Sequence, residues 1–101
     1  MYLLLGCGDV GFELASQLKG RGVEMVIVDQ NSEKVDMLKG LGFNTIVGDF
    51  SRQEVLRQAE IDRAEVIMIL TKNFQAIERT HGAINQLKVE LRIDPVIIGT
   101  G

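Results

Sequence analysis

Three glycines set the terms for this chain. Gly6, Gly8 and Gly11 stand in the spacing G-x-G-x-x-G, directly after the apolar run Tyr2-Leu-Leu-Leu5 and directly before an amphipathic stretch. Glycine is common here, 11 of 101 residues, so the spacing alone carries little. Its position between a strand-like run and a helix-like one carries much more. In that context the first glycine permits a tight turn and the second lets a phosphate approach the backbone. The third lets the strand and the helix pack closely. The helix that follows offers unpaired N–H groups and the positive end of its dipole to an anion.

The rest of the chain repeats the alternation. Apolar runs at 25–28, 45–47, 66–70 and 96–98 are separated by helical stretches near 32–39, 53–59 and 75–88. Runs of three to five residues suit parallel strands buried on both faces, and 3.6-period stripes suit the helices that cover them. The expected fold is α/β: a single Rossmann-like domain over residues 1–101. Its open parallel sheet has strand order 3-2-1-4-5, with helices on both faces. Val35 and Leu38 are expected inward in the second helix, and Phe74, Ile77, Ile84 and Leu87 form the stripe of the last. The segments 19–29 and 39–49 echo each other at an offset of twenty, each ending a helix on glycine and a strand on aspartate. Gly20 or Gly22, and Gly40 or Gly42, are expected to supply left-handed caps. Asp29 and Asp49 then reach the same carboxyl edge of the sheet.

Composition narrows the function classes. A domain this short buries roughly 65% of its unfolded surface, so modest stability is expected. Eleven basic against fourteen acidic residues give a net charge of −3, which disfavours nucleic acid as a partner. The single Cys7 excludes an internal disulfide and fits a reducing, cytoplasmic setting. With one histidine besides, a zinc site is not expected. No apolar run approaches the ~20 residues needed to span a bilayer, so direct membrane insertion is not expected.

Asp29 lies eighteen residues beyond Gly11 at a strand end, where a carboxylate can accept both hydroxyls of a ribose. Its charge opposes a 2′-phosphate, and Gln30 and Asn31 supply no arginine to hold one. NAD(H), ATP, ADP or AMP are thus favoured over NADP. A helix-capping role is the alternative. Asp49 can accept an adenine amino group or serve as a turn or cap residue before the helix near Ser51. Asp9 reads as a solvent-facing helix start, and Cys7 as a small filler more than a redox thiol. Thr71 can touch a second ribose or a phosphate, or cap its strand. His81 reads as a packing residue, and Arg52, Arg57, Arg63 and Arg79 as a solvated scatter.

The stretches Gly6-Cys-Gly-Asp-Val-Gly11, Val26-Ile-Val-Asp29, Val47-Gly-Asp49 and Leu70-Thr71 together resemble the regulator-of-K⁺-conductance, or TrkA-type, N-terminal domain. The resemblance implies a non-catalytic regulatory module that binds NAD(H) or an adenine nucleotide without turning it over. It also implies a K⁺ channel or transporter as effector. The implied ligand-binding set is Gly6, Cys7, Gly8, Asp9, Val10, Gly11, Asp29, Gln30, Asp49, Phe50, Ser51 and Thr71. The glycines would hold phosphates, Asp29 the ribose, and Asp49 with Phe50 and Ser51 the adenine. Thr71 would lie near the distal half of the ligand. One departure stands out: after Thr71 the family commonly carries an acidic segment leading to an asparagine. This chain reads Lys72-Asn-Phe-Gln-Ala-Ile77, which shifts weight toward a mononucleotide.

Two other functions compete. One is the cofactor-binding part of an NAD-dependent oxidoreductase, which would need a placed acid or base and a substrate region. The other is the regulatory domain of a DHH-type phosphoesterase, an effector to which such domains are also fused. Strands three and five would be open edges, so a homodimer or higher oligomer is expected. The closing Gly99-Thr-Gly101, where the family usually continues with a further helix and strand, suggests a piece of a larger protein.

Overall fold

A computed structural model describes residues 1–99. Five strands, Tyr2–Leu5 (β1), Met25–Asp29 (β2), Thr45–Val47 (β3), Val66–Ile69 (β4) and Val96–Gly99 (β5), alternate with four helices. These are Asp9–Gly20 (α1), Ser32–Gly40 (α2), Gln53–Gln58 (α3) and Phe74–Leu91 (α4). All strands pair in parallel, in the order β3-β2-β1-β4-β5. Leu4 stands beside Ile27 on one side and Met68 on the other, at the centre of the sheet.

The strands are apolar on both faces because both faces are covered. Leu3, Leu5, Val26, Val28, Ile67 and Ile69 pack with Leu56 of α3 and with Ala83, Ile84 and Leu87 of α4. Leu4, Met25 and Ile27 pack on the opposite face with Ala15 of α1, Leu38 of α2 and Phe43. Val35 and Leu38 are buried, as the periodicity of α2 predicts. The echo of twenty residues is a repeated helix ending. Gly22 (φ +75°) and Gly42 (φ +90°) are the left-handed residues, while Gly20 and Gly40 are the last helical ones. Val23 N–H donates to Leu18 O and Phe43 N–H to Leu38 O, closing both ends in the same way.

Three expectations need amendment. Phe74 does not belong to the inward stripe of α4: it is the first residue of that helix and 69% exposed. The buried face is instead Thr80, Ala83, Ile84 and Leu87. A 3-10 turn, Ile61–Arg63, follows α3, entered through Glu60 in the left-handed region. β4 stops at Ile69, which leaves Leu70 and Thr71 in the loop beyond it. β3 and β5 are the sheet's edges, and Val96 and Ile98 of β5 are exposed. Thr100 and Gly101, on which the expectation of a continuing chain partly rests, lie outside the described residues. Among the described residues no helix is long and apolar enough to cross a membrane.

Candidate ligand-binding site

The sheet reverses its direction of growth between β1 and β4, and a cleft of about 700 Å³ opens there at the carboxyl ends of the strands. The three glycines differ in what they contribute. Gly6 has φ +95°, a left-handed conformation that a side chain disfavours, and its N–H donates to Val28 O at 2.8 Å. Gly11 is a packing glycine: a Cβ there would lie 3.3 Å from Leu70 Cδ1 and 3.4 Å from Gly6 O. Gly8 is different from both. Its φ of −82° suits any residue, and a Cβ on it would meet nothing within 4 Å. What glycine provides at that position is open space on the cleft.

Gly8 is also the N-cap of α1, and Phe12 N–H donates to its carbonyl at 2.8 Å. The amides of residues 9 to 11 therefore precede the first helical carbonyl acceptor and have no partner within the helix. Asp9 is the exposed first residue of α1, as its reading as a helix start requires. Cys7 is 3% exposed in the core beneath the loop, which is the filler role. Burial, and then the nearby Asp29 charge, push its thiol above the ordinary value, while Lys34 acts against them.

Asp29, the last residue of β2, reaches back to this loop. Its Oδ2 accepts the Cys7 N–H at 2.8 Å, and its Oδ1 accepts the Asn31 N–H at 2.9 Å. The carboxylate thus fixes the loop and the start of α2 at once. Asn31 in turn caps α2, its Oδ1 accepting the Lys34 N–H at 3.0 Å.

Asp49 and Ser51 form a local turn. Asp49 Oδ1 accepts both the Ser51 N–H at 2.9 Å and the Ser51 hydroxyl at 2.7 Å. That hydroxyl bond is the main reason the Asp49 carboxyl lies below its ordinary range. Gln30 and the charge of Arg79 act in the same direction. Gly48, just before it, is held close to α3, since a Cβ there would sit 3.0 Å from Val55 Cγ1.

Of the twelve candidate residues, ten line the cleft: Gly6, Cys7, Gly8, Asp9, Val10, Gly11, Asp29, Gln30, Phe50 and Thr71. Asp49 and Ser51 do not line it. Thr71 performs the local capping role, its Oγ1 accepting the Asn73 N–H at 3.2 Å, while also facing the cleft. His81 is half-buried on α4 and does not line the cleft.

Six further residues complete the cleft: Lys34, Leu70, Lys72, Asn73, Ala76 and Arg79. In the sequence Arg79 reads as part of a scatter with Arg52, Arg57 and Arg63. Those three are engaged in surface ion pairs, with Glu54, with Glu90, and with Glu24 and Glu60 respectively. Arg79 instead lies three residues beyond Ala76 and six beyond Asn73, on the α4 face that forms the cleft wall. That spacing, starting from an N-cap asparagine, is the signal that could have marked it.

Parallel strand order, glycine loop and switch-point cleft define a Rossmann-like domain. Residues 2–94 match the family model of the TrkA-N domain, and the chain belongs to that family. It is 28% identical over 98 residues to a glutathione-regulated potassium-efflux system protein of Haemophilus influenzae, covering 97% of this chain. The chain spans 15% of the length of that relative. Its fold is similar to the TrkA-N domain of the Escherichia coli inner membrane protein YbaL. The TM-score there is 0.82 at 23% identity, covering 97% of this chain and 70% of that one. It is similar to the GsuK channel bound to NAD, with TM-score 0.84 at 19% identity, covering 97% of this chain and 17% of that one. It also resembles the AMP-bound Kef C-terminal domain of Shewanella denitrificans. That TM-score is 0.75 at 19% identity, covering 97% of this chain and 57% of that one.

Proposed function

We propose that the cleft binds NAD(H) or an adenine nucleotide as a signal, without chemical turnover, and that the bound state controls a potassium channel or transporter. The observation that carries this is the pairing of Asp29 with the glycine loop. A carboxylate at the end of β2 stands on the cleft beside Gly8, the one loop glycine that neither backbone strain nor packing demands. A ribose offers two hydroxyl donors to such a carboxylate, and a phosphate fits the open backbone of the loop and the N-terminus of α1. The NAD and AMP named for two similar structures, and the potassium-efflux role named for the relative, support the same reading.

Regulation requires the nucleotide to bind one arrangement of the protein better than another. A homodimer or higher assembly supplies two such arrangements, and the exposed edge strands β3 and β5 are surfaces along which copies could meet. Asp49, Phe50 and Ser51 shape the adenine side, with Phe50 as the contact and the Asp49–Ser51 turn as its support.

Thermal unfolding with NAD⁺, NADH, NADP⁺, ATP, ADP or AMP tests this. A ligand at 100 times its Kd adds about 2.7 kcal/mol, which for a domain of this size raises Tm by roughly 10–20 °C. At least one adenosine compound is expected to do so, with NADP⁺ the weakest. No shift from any of them would overturn the reading.

A further inference from the structure

The geometry points to a subsite for a phosphate chain on the α4 wall of the cleft, selecting ADP or ATP over AMP and NAD⁺. This rests on the cleft being a nucleotide site and says which nucleotide it takes.

The cleft's two carboxylates, Asp9 and Asp29, belong to the start of α1 and the end of β2, with Lys34 of α2 lining the same side, and Asp29 already accepts two backbone N–H groups. The opposite wall runs from Thr71 through Asn73 and Ala76 to Arg79 and contributes Lys72 and Arg79 to the lining, with no carboxylate between Thr71 and Ile77. Both cations are exposed, and neither makes an ion pair within 4 Å among the described residues. Arg79 does act at longer range on Asp49.

The helix behind this wall adds to the same field. Asn73 Oδ1 caps α4 through the Ala76 N–H at 3.0 Å, leaving the amides of Phe74 and Gln75 without an intrahelical acceptor. The first turns of α1, α2 and α3 each carry an acid, at Asp9, Glu33 and Glu54, whereas that of α4 carries none. A first phosphate held at the glycine loop leaves the next ones facing Lys72 and Arg79. Each added phosphate brings further negative charge to that wall, and the guanidinium of Arg79 can hold two of its oxygens at once. The nicotinamide ring of NAD⁺ brings a positive charge to the same place.

Calorimetric titration of the chain with AMP, ADP, ATP and NAD⁺ tests the subsite. ADP and ATP are expected to bind at least about tenfold more tightly than AMP, the size of one charge-assisted hydrogen bond. Lys72→Ala and Arg79→Gln, both at exposed positions, are expected to erase most of that advantage, weakening ADP and ATP at least about fivefold more than AMP. Equal affinity for AMP, ADP and ATP, tighter binding of NAD⁺, or an equal loss for AMP and ADP in both variants would each overturn it. Silence toward all four compounds would instead overturn the nucleotide reading itself, and the subsite with it.

Discussion

Asp29 and Cys7 are joined by a 2.8 Å hydrogen bond from the Cys7 N–H to the Asp29 carboxylate, so the end of β2 holds the glycine loop in place before any ligand arrives. A ribose bound as proposed would share that carboxylate with the loop. Asp29→Ala is expected to weaken the nucleotide by about 1.5–3 kcal/mol, the worth of a hydrogen bond to a charged group. It also releases the Cys7 and Asn31 amides, so the ligand-free protein is expected to lose about 1–2 kcal/mol of stability. Paired denaturant melts and titrations separate the two effects, and unchanged affinity would refute the ribose role.

Gly6 and Gly8 are two residues apart and are expected to fail in opposite ways. Gly6→Ala forces a side chain into the left-handed region at φ +95° and is expected to cost the protein about 1–2 kcal/mol. Gly8→Ala meets no neighbour, and costs about 0.5–1 kcal/mol because alanine is a poorer N-cap. Its methyl group stands where a phosphate would approach, so nucleotide affinity is expected to fall at least tenfold. Comparable melts and comparable affinities for the two variants would show that Gly8 has no ligand role.

The Asp49–Ser51 turn predicts a pH dependence. The Ser51 hydroxyl holds the Asp49 carboxyl below its ordinary 3.8 in the folded protein. A depressed carboxyl contributes stability above the unfolded value, and that contribution is lost as pH falls from 3.8 through the lower folded value. Ser51→Ala is expected to raise the Asp49 titration midpoint toward 3.8 and to destabilise the protein slightly at neutral pH. The difference between variant and wild type is expected to shrink below that range. Carboxyl ¹³C titration and melts at pH 3 and pH 7 check both statements.

Cys7 has the opposite sign. Its thiol is raised above the ordinary 9.0 by burial and by Asp29, so it is protonated and slow to react at neutral pH. The stability gained by keeping it neutral is present below 9.0 and is lost as pH rises above that value. Labelling with a thiol reagent is expected to be slow in the native chain and fast in denaturant. Rapid native labelling would mean that the loop opens.

Much of this architecture was legible because its signals are local. Five apolar runs, an amphipathic stretch after each of the first four, and a twenty-residue echo specify the parallel sheet and its order without any long-range information. The choice of Gly22 over Gly20, and of Gly42 over Gly40, was not legible. Both glycines of each pair suit a helix end, and only the 6→1 bonds to Leu18 and Leu38 decide between them. Phe74 misled because apolar periodicity extrapolates through a helix's first turn, which here projects past the core to solvent. Arg79 was hidden for a different reason. The spacing Asn73, Ala76, Arg79 marks one face of α4, but that this face lies on the cleft depends on where α4 packs against the sheet. The candidate site divides along the same line: the strand-end residues Asp29, Gln30, Phe50 and Thr71 could be read, and the α4 residues Ala76 and Arg79 could not.

Lys19 joins the two echoed helix ends to each other. Its Nζ donates to Gly42 O at 3.0 Å and lies 5.4 Å from the centre of the Phe43 ring, against which Phe12 packs edge-on. Together with the Asp29–Cys7 bond, this knits α1, the glycine loop and the α2 end into one jaw. The facing jaw is anchored differently: the side-chain bonds of Thr71 and Asn73 run only to Asn73 and Ala76. That wall is held instead by the core, where Ala83, Ile84 and Leu87 of α4 are buried, so a nucleotide bound as proposed would bridge two walls fixed by different forces.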